Sequence, residues 1–263
     1  MPGELLARVF ETVLGYLALG NEVIDGPLGC FVRNPDAPNV YDANHGTRVR
    51  ASTPKEINTV LERSDELLSA SRHRQFIIDG ATPPTFEARL ALDGYERRDE
   101  LAMLLEGDLA GGSAPRGVTI RPVESDADWA SLQDLFRMDH VEEAQEGREP
   151  ISDETTRQVV ATKRYKAPAL AFWLASVKRT DCAFFSAWPG TNGVGKVEDL
   201  FTHPDYRHRG IATALIRHSV DDARARGAKG VNISARIDDT PKDMYAAMGF
   251  RPLCVIRSWL KTG

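Results

Sequence analysis

The residues whose types and spacing best suit chemistry form the run RHRGIA at 207–212, between a predicted strand and an amphipathic helical pattern. The first amides of a helix lack intrahelical partners and carry partial positive charge, so such a turn suits a pyrophosphate. Gly210 and the small Ala212 allow close approach of the backbone, while Arg207 and Arg209 add charge for phosphate oxygens. An ordinary strand-to-helix turn with solvated arginines is the alternative.

The segments around that run predict an α/β fold, with helices flanking a mixed sheet. Apolar runs between polar turns indicate buried strands, and apolar residues at helical spacing indicate helices. Ser152 and Asp239 are expected to cap two of the helices. Strands are predicted at 118–123, 170–177, 182–188, 196–203, 231–236, 250–254 and 255–260. Helices are predicted around 129–136 and at 152–165, 210–226 and 240–248.

The chain is expected to contain two structural units. A stretch rich in glycine, serine and proline at 107–117 has no apolar periodicity and predicts a linker between residues 1–106 and 118–263. A predicted helix ending at Leu92, a glycine, an aromatic residue and a strand close the first unit, and a similar series follows position 240. This likeness predicts a weak internal repeat, with chance similarity as the alternative.

Composition excludes several classes of protein. A net charge of −5 argues against a general nucleic-acid binder. Cys30, Cys182 and Cys254 are far apart, which indicates neither a disulfide framework nor a metal site. The N-terminus lacks the pattern of a secretory signal, and no apolar run is long enough to span a bilayer. We therefore expect a cytoplasmic protein without membrane or nucleic-acid partners.

From 118 to 260, the order of elements and two motifs resemble the GNAT N-acetyltransferase superfamily. The run at 207–212 fits the acyl-CoA signature of that family, (Arg/Gln)-x-x-Gly-x-(Gly/Ala). Tyr245-Ala-Ala-Met-Gly-Phe250 resembles its Tyr-x-x-x-Gly-Phe motif. The resemblance implies a GNAT-like acyl-CoA N-acyltransferase fold, in tandem. Residues 1–106 would then be a degenerate GNAT-like domain, since they lack the first motif and carry Leu90 at the position of the tyrosine.

The resemblance also implies a reaction. Acetyl-CoA, as co-substrate, would give its acetyl group to a primary amine of a small molecule or peptide in a ternary complex, with no metal. A backbone N–H near Leu200 or Phe201 would polarise the thioester carbonyl. The residues expected to bind the cofactor are Leu200, Phe201, Thr202, Arg207, His208, Arg209, Gly210, Ile211, Ala212 and Thr213.

Two residues are the catalytic candidates. Tyr245 suits the acid that protonates the departing thiolate, with a packing role as the alternative. Glu198 suits the base; on a regular strand it would share a face with Leu200, whereas Asp199 would point the other way. A carboxylate paired with a lysine such as Lys196 is the alternative for Glu198.

Other interpretations stay open. His140 with Glu142, Glu143 and Glu146 faces an amine substrate or belongs to a solvated charged loop. The polar residues at 33–35 and 41–45 line a cleft or serve as turns and caps. For the whole chain, a non-catalytic acyl-CoA-binding or sensing module is the alternative function. An acyltransferase of special thiol or sugar metabolism is a third, since mycothiol synthase also has a tandem GNAT architecture. A homodimer is one option for the assembly.

Overall fold

The computed structural model describes residues 2–111, 115–145, 148–167 and 169–263, whose strands form one sheet with helices on both faces. The first half contributes strands β1 to β5: Glu22–Gly26, Gly29–Arg33, His45–Thr47, His73–Ile78 and Glu96–Leu105. The second half contributes β6 to β11: Val118–Pro122, Ala171–Val177, Thr180–Trp188, Val194–Thr202, Gly230–Arg236 and Arg251–Thr262. Helices α1 to α7 are Pro2–Ala18, Pro54–Leu67, Pro84–Leu92, Asp126–Gln145, Asp153–Lys166, Ile211–Ala225 and Pro241–Ala247.

The predicted α/β fold is confirmed, and the differences are local. The two strands predicted at 250–254 and 255–260 are one strand, β11, which begins at Arg251 and shifts register between Pro252 and Cys254. Ser152 caps α5 as expected, because its hydroxyl accepts the Thr155 amide at 3.1 Å. The cap of α7 is Thr240 rather than Asp239, and it makes no side-chain hydrogen bond.

The two halves repeat one topology, which confirms the predicted internal repeat. In the first half β1, β2 and β3 are antiparallel neighbours, and α2 then leads to β4, parallel to β3. In the second half β7, β8 and β9 are antiparallel neighbours, and α6 then leads to β10, parallel to β9. A short helix and a last strand follow each time, α3 with β5 and α7 with β11.

The last strands of the two repeats are interleaved. The order across the sheet is β1-β2-β3-β4-β11-β5-β10-β9-β8-β7-β6. Each last strand therefore pairs with the penultimate strand of the other repeat: β5 with β10, and β11 with β4. The division into 1–106 and 118–263 stays a prediction, since the sheet runs through both parts.

The described part of the predicted linker lies against the second half. The Ala110 amide donates to the Met248 carbonyl at 2.9 Å, and Arg217 donates to the Gly111 carbonyl at 3.0 Å. Residues 112–114 lie outside the described residues. The part of the linker before residue 112 is thus fixed by hydrogen bonds to α6 and to the turn after α7.

Apolar packing holds helices to each face of the sheet. On one face, α1, α4 and α5 cover a cluster that includes Trp129, Leu132 and Phe184. On the other, α6 and α7 cover a cluster that includes Phe185 and Leu215. Each such fully buried side chain contributes about 1.5–3 kcal/mol. Among the described helices, none is both long enough and apolar enough to cross a membrane.

Candidate functional site

The site begins where β9 and β10 separate. Their parallel ladder runs from Val194 opposite Gly230 to Val197 opposite Ile233. Beyond that point β9 continues to Thr202, while β10 continues in pairing with β5 alone. The edge of β9 from Glu198 onward therefore faces an opening instead of a strand.

A β-bulge at Asp199 changes the directions of the side chains at this opening. Asp199 has φ +63°, and the register between β8 and β9 shifts next to it. Leu200 consequently packs with the α6 cluster, whereas Phe201 packs with the α1 cluster. The expectation that Glu198 shares a face with Leu200 and opposes Asp199 is wrong, because the bulge breaks the two-residue alternation of the strand. Glu198 and Asp199 both interact on the α1 side.

The run at 207–212 forms the turn into α6. His208 has φ +59° and Gly210, the N-cap of the helix, has φ +75° and no side-chain cap. The first bond of the helix joins the Ala214 amide to the Gly210 carbonyl at 3.0 Å. The amides of Ile211, Ala212 and Thr213 precede that bond and point out of the helix end. Turns of this kind form concave nests for anions.

The two arginines of the turn have partners of their own. Arg207 forms a bidentate pair with Glu142 of α4, at 2.6 and 2.5 Å, and also donates to the Thr202 carbonyl. Arg209 donates to the Asp205 carbonyl and lies over the Tyr206 ring. The Arg207 guanidinium thereby ties the turn to both β9 and α4.

A cleft of about 220 Å³ lies at the opening and is lined from both faces of the sheet. It brings together residues from β8, β9, β10, α4, α7, the connections that follow α4 and β10, and β5 of the first half. Tyr245 and Glu198 both line it, so the structure joins the two catalytic candidates at one place. The lining residues are Glu100, Glu143, Arg148, Phe185, Val197, Glu198, Asp199, Leu200, Ile233, Ser234, Ala235, Arg236, Asp239, Pro241 and Tyr245.

The cations of the cleft are held by carboxylates. Arg148 pairs with Glu143 and with Asp239, the latter at 3.2 Å. Arg236 pairs with Asp238 at 2.9 Å. The acidic residues of the cleft outnumber its arginines, so its net charge suits a cationic ligand.

Glu198 forms an ion pair with Lys196, which is the structural alternative expected for it. Lys196 is buried and also donates to the Ser234 hydroxyl at 3.3 Å. Desolvation raises the pKa of Glu198; the Lys196 ammonium opposes that effect, and the Asp199 charge adds to it.

Tyr245 is buried in α7 and lines the cleft, with its ring 6.2 Å from that of Phe250. Burial, followed by the charges of Glu198 and Asp239, raises the pKa of its phenol. The hydroxyl therefore carries its proton at neutral pH. Both expectations for Tyr245 have structural support, since it packs against Phe250 and reaches the cleft.

A buried polar network stabilises the bulge on the face of the sheet that α1 and α5 cover. The Tyr16 hydroxyl of α1 donates to Asp199 at 2.9 Å, and the Lys163 ammonium of α5 donates to Asp199 at 2.6 Å. Burial acts against the Asp199 charge, but Lys163 and these hydrogen bonds hold its pKa below the ordinary value. The first half thus supplies a helix that fixes β9 at the site.

The proposals for the segment around His140 are wrong for that residue. His140 is buried in α4, and its Nδ1 lies 2.8 Å from the Thr156 hydroxyl. It therefore faces neither a substrate nor solvent, and its burial lowers its pKa to about 4. Glu143 does line the cleft, whereas Glu142 binds Arg207. Glu146 lies outside the described residues.

The polar residues of the first half form turns. Asn44 accepts the Asn34 amide and donates to the Ala37 and Val40 carbonyls. His45 is fully buried. The structure therefore favours the turn-and-cap interpretation for these positions.

No sequence pattern marked Glu100 or Asp239 as cleft residues. Glu100 belongs to the first half and reaches the cleft only because β5 lies between β10 and β11. The position of Glu100 in the cleft therefore depends on the interleaving of the last strands.

Comparisons with known proteins find similarities to acetyltransferases. Residues 129–250 match the model of the acetyltransferase (GNAT) family. This region of the chain is therefore similar to GNAT acetyltransferase domains. An uncharacterised N-acetyltransferase of Methanocaldococcus jannaschii is 32% identical over 69 residues, a match that spans 26% of this chain and 30% of the archaeal protein.

Solved structures show the GNAT fold over the whole chain. A GCN5-related N-acetyltransferase from Kribbella flavida has a TM-score of 0.70 at 14% identity and covers 100% of this chain and 96% of its own. A tandem GNAT protein from the clavulanic acid biosynthesis pathway has a TM-score of 0.61 at 15% identity, covering 98% and 93%. A conserved protein of unknown function from Staphylococcus epidermidis has a TM-score of 0.72 at 16% identity, covering 95% and 97%.

Proposed function

We propose that this protein is an N-acetyltransferase that moves the acetyl group of acetyl-CoA to a primary amine in a ternary complex. The observation that carries the proposal is that three features occur together around the end of β9. They are an uncapped α6 N-terminus, an unpaired edge of β9 and a cleft lined by Tyr245. Acetyl-CoA, when bound, supplies an activated acetyl group on a thioester carbonyl.

The described residues fit such a co-substrate. The αL turn at Gly210 leaves the first α6 amides for phosphate oxygens, and any larger residue there would be strained. The open edge of β9 from Glu198 to Thr202 suits the amides of a pantetheine chain, as in β-strand addition. The buried Oγ1 of Thr202 lacks a hydrogen-bond partner among the described residues. These groups are the proposed cofactor contacts.

Tyr245 would act as the acid. A phenol with an ordinary pKa of about 10 is a suitable donor to a thiolate, and burial keeps Tyr245 protonated. A backbone amide at Leu200 or Phe201 would stabilise negative charge on the carbonyl oxygen, which is worth about 3 kcal/mol in comparable sites.

A proton acceptor is also required, because an alkylammonium with a pKa of about 10 is mostly protonated near pH 7. Glu198 stays a candidate, since it lines the cleft. Its carboxylate is already paired with the buried Lys196, and this pairing disfavours Glu198 as the proton acceptor.

The test combines calorimetry with turnover. The wild-type protein should bind acetyl-CoA and release thiol in the presence of spermidine, kanamycin or a peptide with a free N-terminus. Tyr245→Phe should lower turnover about 100-fold or more with little change in affinity for acetyl-CoA. Tyr95→Phe, which alters a tyrosine of the first half, is the matched control and should retain turnover.

Saturable binding of acetyl-CoA without turnover on any amine would instead favour an acyl-CoA-sensing module. Wild-type turnover by Tyr245→Phe would remove that residue as the acid.

A further inference from the structure

We infer that the first half of the chain completes the active site: Glu100 of β5 is the base that takes the proton from the acceptor ammonium. This inference rests on the proposed N-acetyltransferase function. It assigns a catalytic residue to the half of the chain that lacks the acyl-CoA motifs.

The strand register places Glu100 at the site. Glu100 lies opposite Arg236, at the end of β10 that has separated from β9. Two residues along, Ala102 lies opposite Ser234, which binds Lys196. Side chains of directly paired residues share a face of the sheet. Glu100 is therefore on the same face as the Lys196–Glu198 pair.

The alternate residues of β5 confirm this orientation. Leu101 and Met103 pack with the α6 cluster, whereas Ala102 packs with the α1 cluster. Glu100 thus points away from α6, whose N-terminus is the proposed phosphate site. An acceptor on the α1 side of the opening would meet Glu100 while the thioester lies between β9 and β10.

Glu100 differs from the other carboxylates of the cleft in its lack of a partner. Glu198 is bound to Lys196, and both Glu143 and Asp239 are bound to Arg148. Arg236, the cross-strand neighbour of Glu100, pairs with Asp238 instead. Within the described residues Glu100 has neither a hydrogen bond nor an ion pair, so its carboxylate is available to an incoming ammonium.

The surroundings of Glu100 also increase the affinity of its carboxylate for a proton. Desolvation near the cleft, followed by repulsion from Glu198, raises the pKa of Glu100 to about 7, while the residue itself stays exposed to solvent. A general base is most effective when its pKa lies near the working pH. The carboxylate is charged above that pH and can bind a cation there.

The proton balance is complete. An N–H bond of the acceptor ammonium breaks, its proton bonds to a Glu100 oxygen, and the electron pair stays on the nitrogen, which attacks the thioester. Tyr245 gives its proton to the departing thiolate, and the second proton lost by the nitrogen restores the phenol. Glu100 then releases its proton to solvent.

The experiment compares Glu100→Gln with Glu198→Gln and with Glu96→Gln, which changes a second exposed glutamate of the same strand, opposite Leu260 and outside the cleft lining. All three variants should bind acetyl-CoA like the wild type by calorimetry. In Glu100→Gln, kcat/KM for the best amine among spermidine, kanamycin and the peptide should fall about 100-fold or more. The rise of kcat/KM with increasing pH through 7 should also disappear in this variant. Glu198→Gln and Glu96→Gln should keep that rise.

A second measurement needs no acceptor. Carbon-13 NMR of glutamate carboxyls should show one resonance that titrates near pH 7 and is missing in Glu100→Gln. A Glu100 midpoint near the ordinary value of about 4.3 would overturn the assignment. So would a wild-type pH profile in Glu100→Gln, or loss of the rise in Glu198→Gln instead. Failure of the wild type to bind acetyl-CoA would count against the proposed function. The NMR titration would then still test the assignment of Glu100 as a group with a pKa near 7.

Discussion

The two repeats place a helix at the same point of their topology, but the N-termini of these helices differ. In the second repeat α6 begins after Gly210, with φ +75° and no side-chain cap. In the first repeat α2 begins after Thr53, whose hydroxyl accepts the Glu56 amide at 3.3 Å. The Glu56 carboxylate in turn accepts the amides of Ser52 and Thr53, each at 3.0 Å.

The difference separates a helix end open to an anion from one closed by its own carboxylate. The hydrogen bonds from the Ser52 and Thr53 amides lower the pKa of Glu56 to about 2, so this charge is present at all ordinary pH values. A phosphate at α2 would have to displace it against electrostatic repulsion. The same physics that stabilises α2 therefore prevents the first repeat from binding a pyrophosphate.

A second difference lies in the short helices that follow. Tyr245 of α7 lines the cleft, whereas Leu90 of α3 is fully buried against Phe76 and Phe86 in an apolar cluster. A leucine has no proton to give. The first repeat therefore has neither an uncapped helix end nor a tyrosine at these two positions. It contributes support for β9 and the strand that carries Glu100.

The largest expected effect comes from placing a carboxylate where α6 is open. Gly210→Glu should weaken acetyl-CoA binding more than 100-fold, because the loss of two charge-assisted hydrogen bonds costs about 3–6 kcal/mol. Calorimetry measures the change. Gly227→Glu is the control, since Gly227 follows the other end of α6 and also has positive φ with open space around it. Equal affinities for the two variants would disprove the anion site.

A smaller effect tests the support that the first repeat gives to the second. Tyr16→Phe removes the hydroxyl that donates to Asp199, and we expect it to lower the free energy of unfolding by about 1.5–3 kcal/mol. Urea denaturation is the measurement. Tyr165→Phe alters an exposed tyrosine and should leave the free energy unchanged. If both variants matched the wild type, the Tyr16–Asp199 contact would not stabilise the fold.

The smallest effect concerns the closed helix end. Thr53→Ala removes half of the capping box and should cost about 1 kcal/mol of stability. It should leave the affinity for acetyl-CoA unchanged, because α2 takes no part in binding. A change in that affinity, measured by calorimetry, would show that the repeats are not as different as their helix ends indicate.

The sequence was sufficient for the features that depend on local residue patterns. The alternation and helical spacing of apolar residues predicted the elements of the second half, and the run at 207–212 predicted the turn before α6. Pairing of Glu198 with Lys196 was also foreseen, as one of two alternatives.

Local sequence patterns could not predict which segments distant in the sequence lie next to each other in the fold. The bulge at Asp199 depends on pairing with β8 and on the buried Lys163 and Tyr16, which are distant in sequence. The entry of Glu100 into the cleft depends on which strands are neighbours, and the segment around it shows only charged residues before an apolar run.

The most direct test of the account is the stoichiometry of acetyl-CoA binding, measured by isothermal titration calorimetry on the full chain. The wild type should bind about one molecule per chain, and Gly210→Glu should bind none at the same concentrations. Two molecules per chain, or one molecule that still binds to Gly210→Glu, would contradict the contrast between the open α6 and the closed α2.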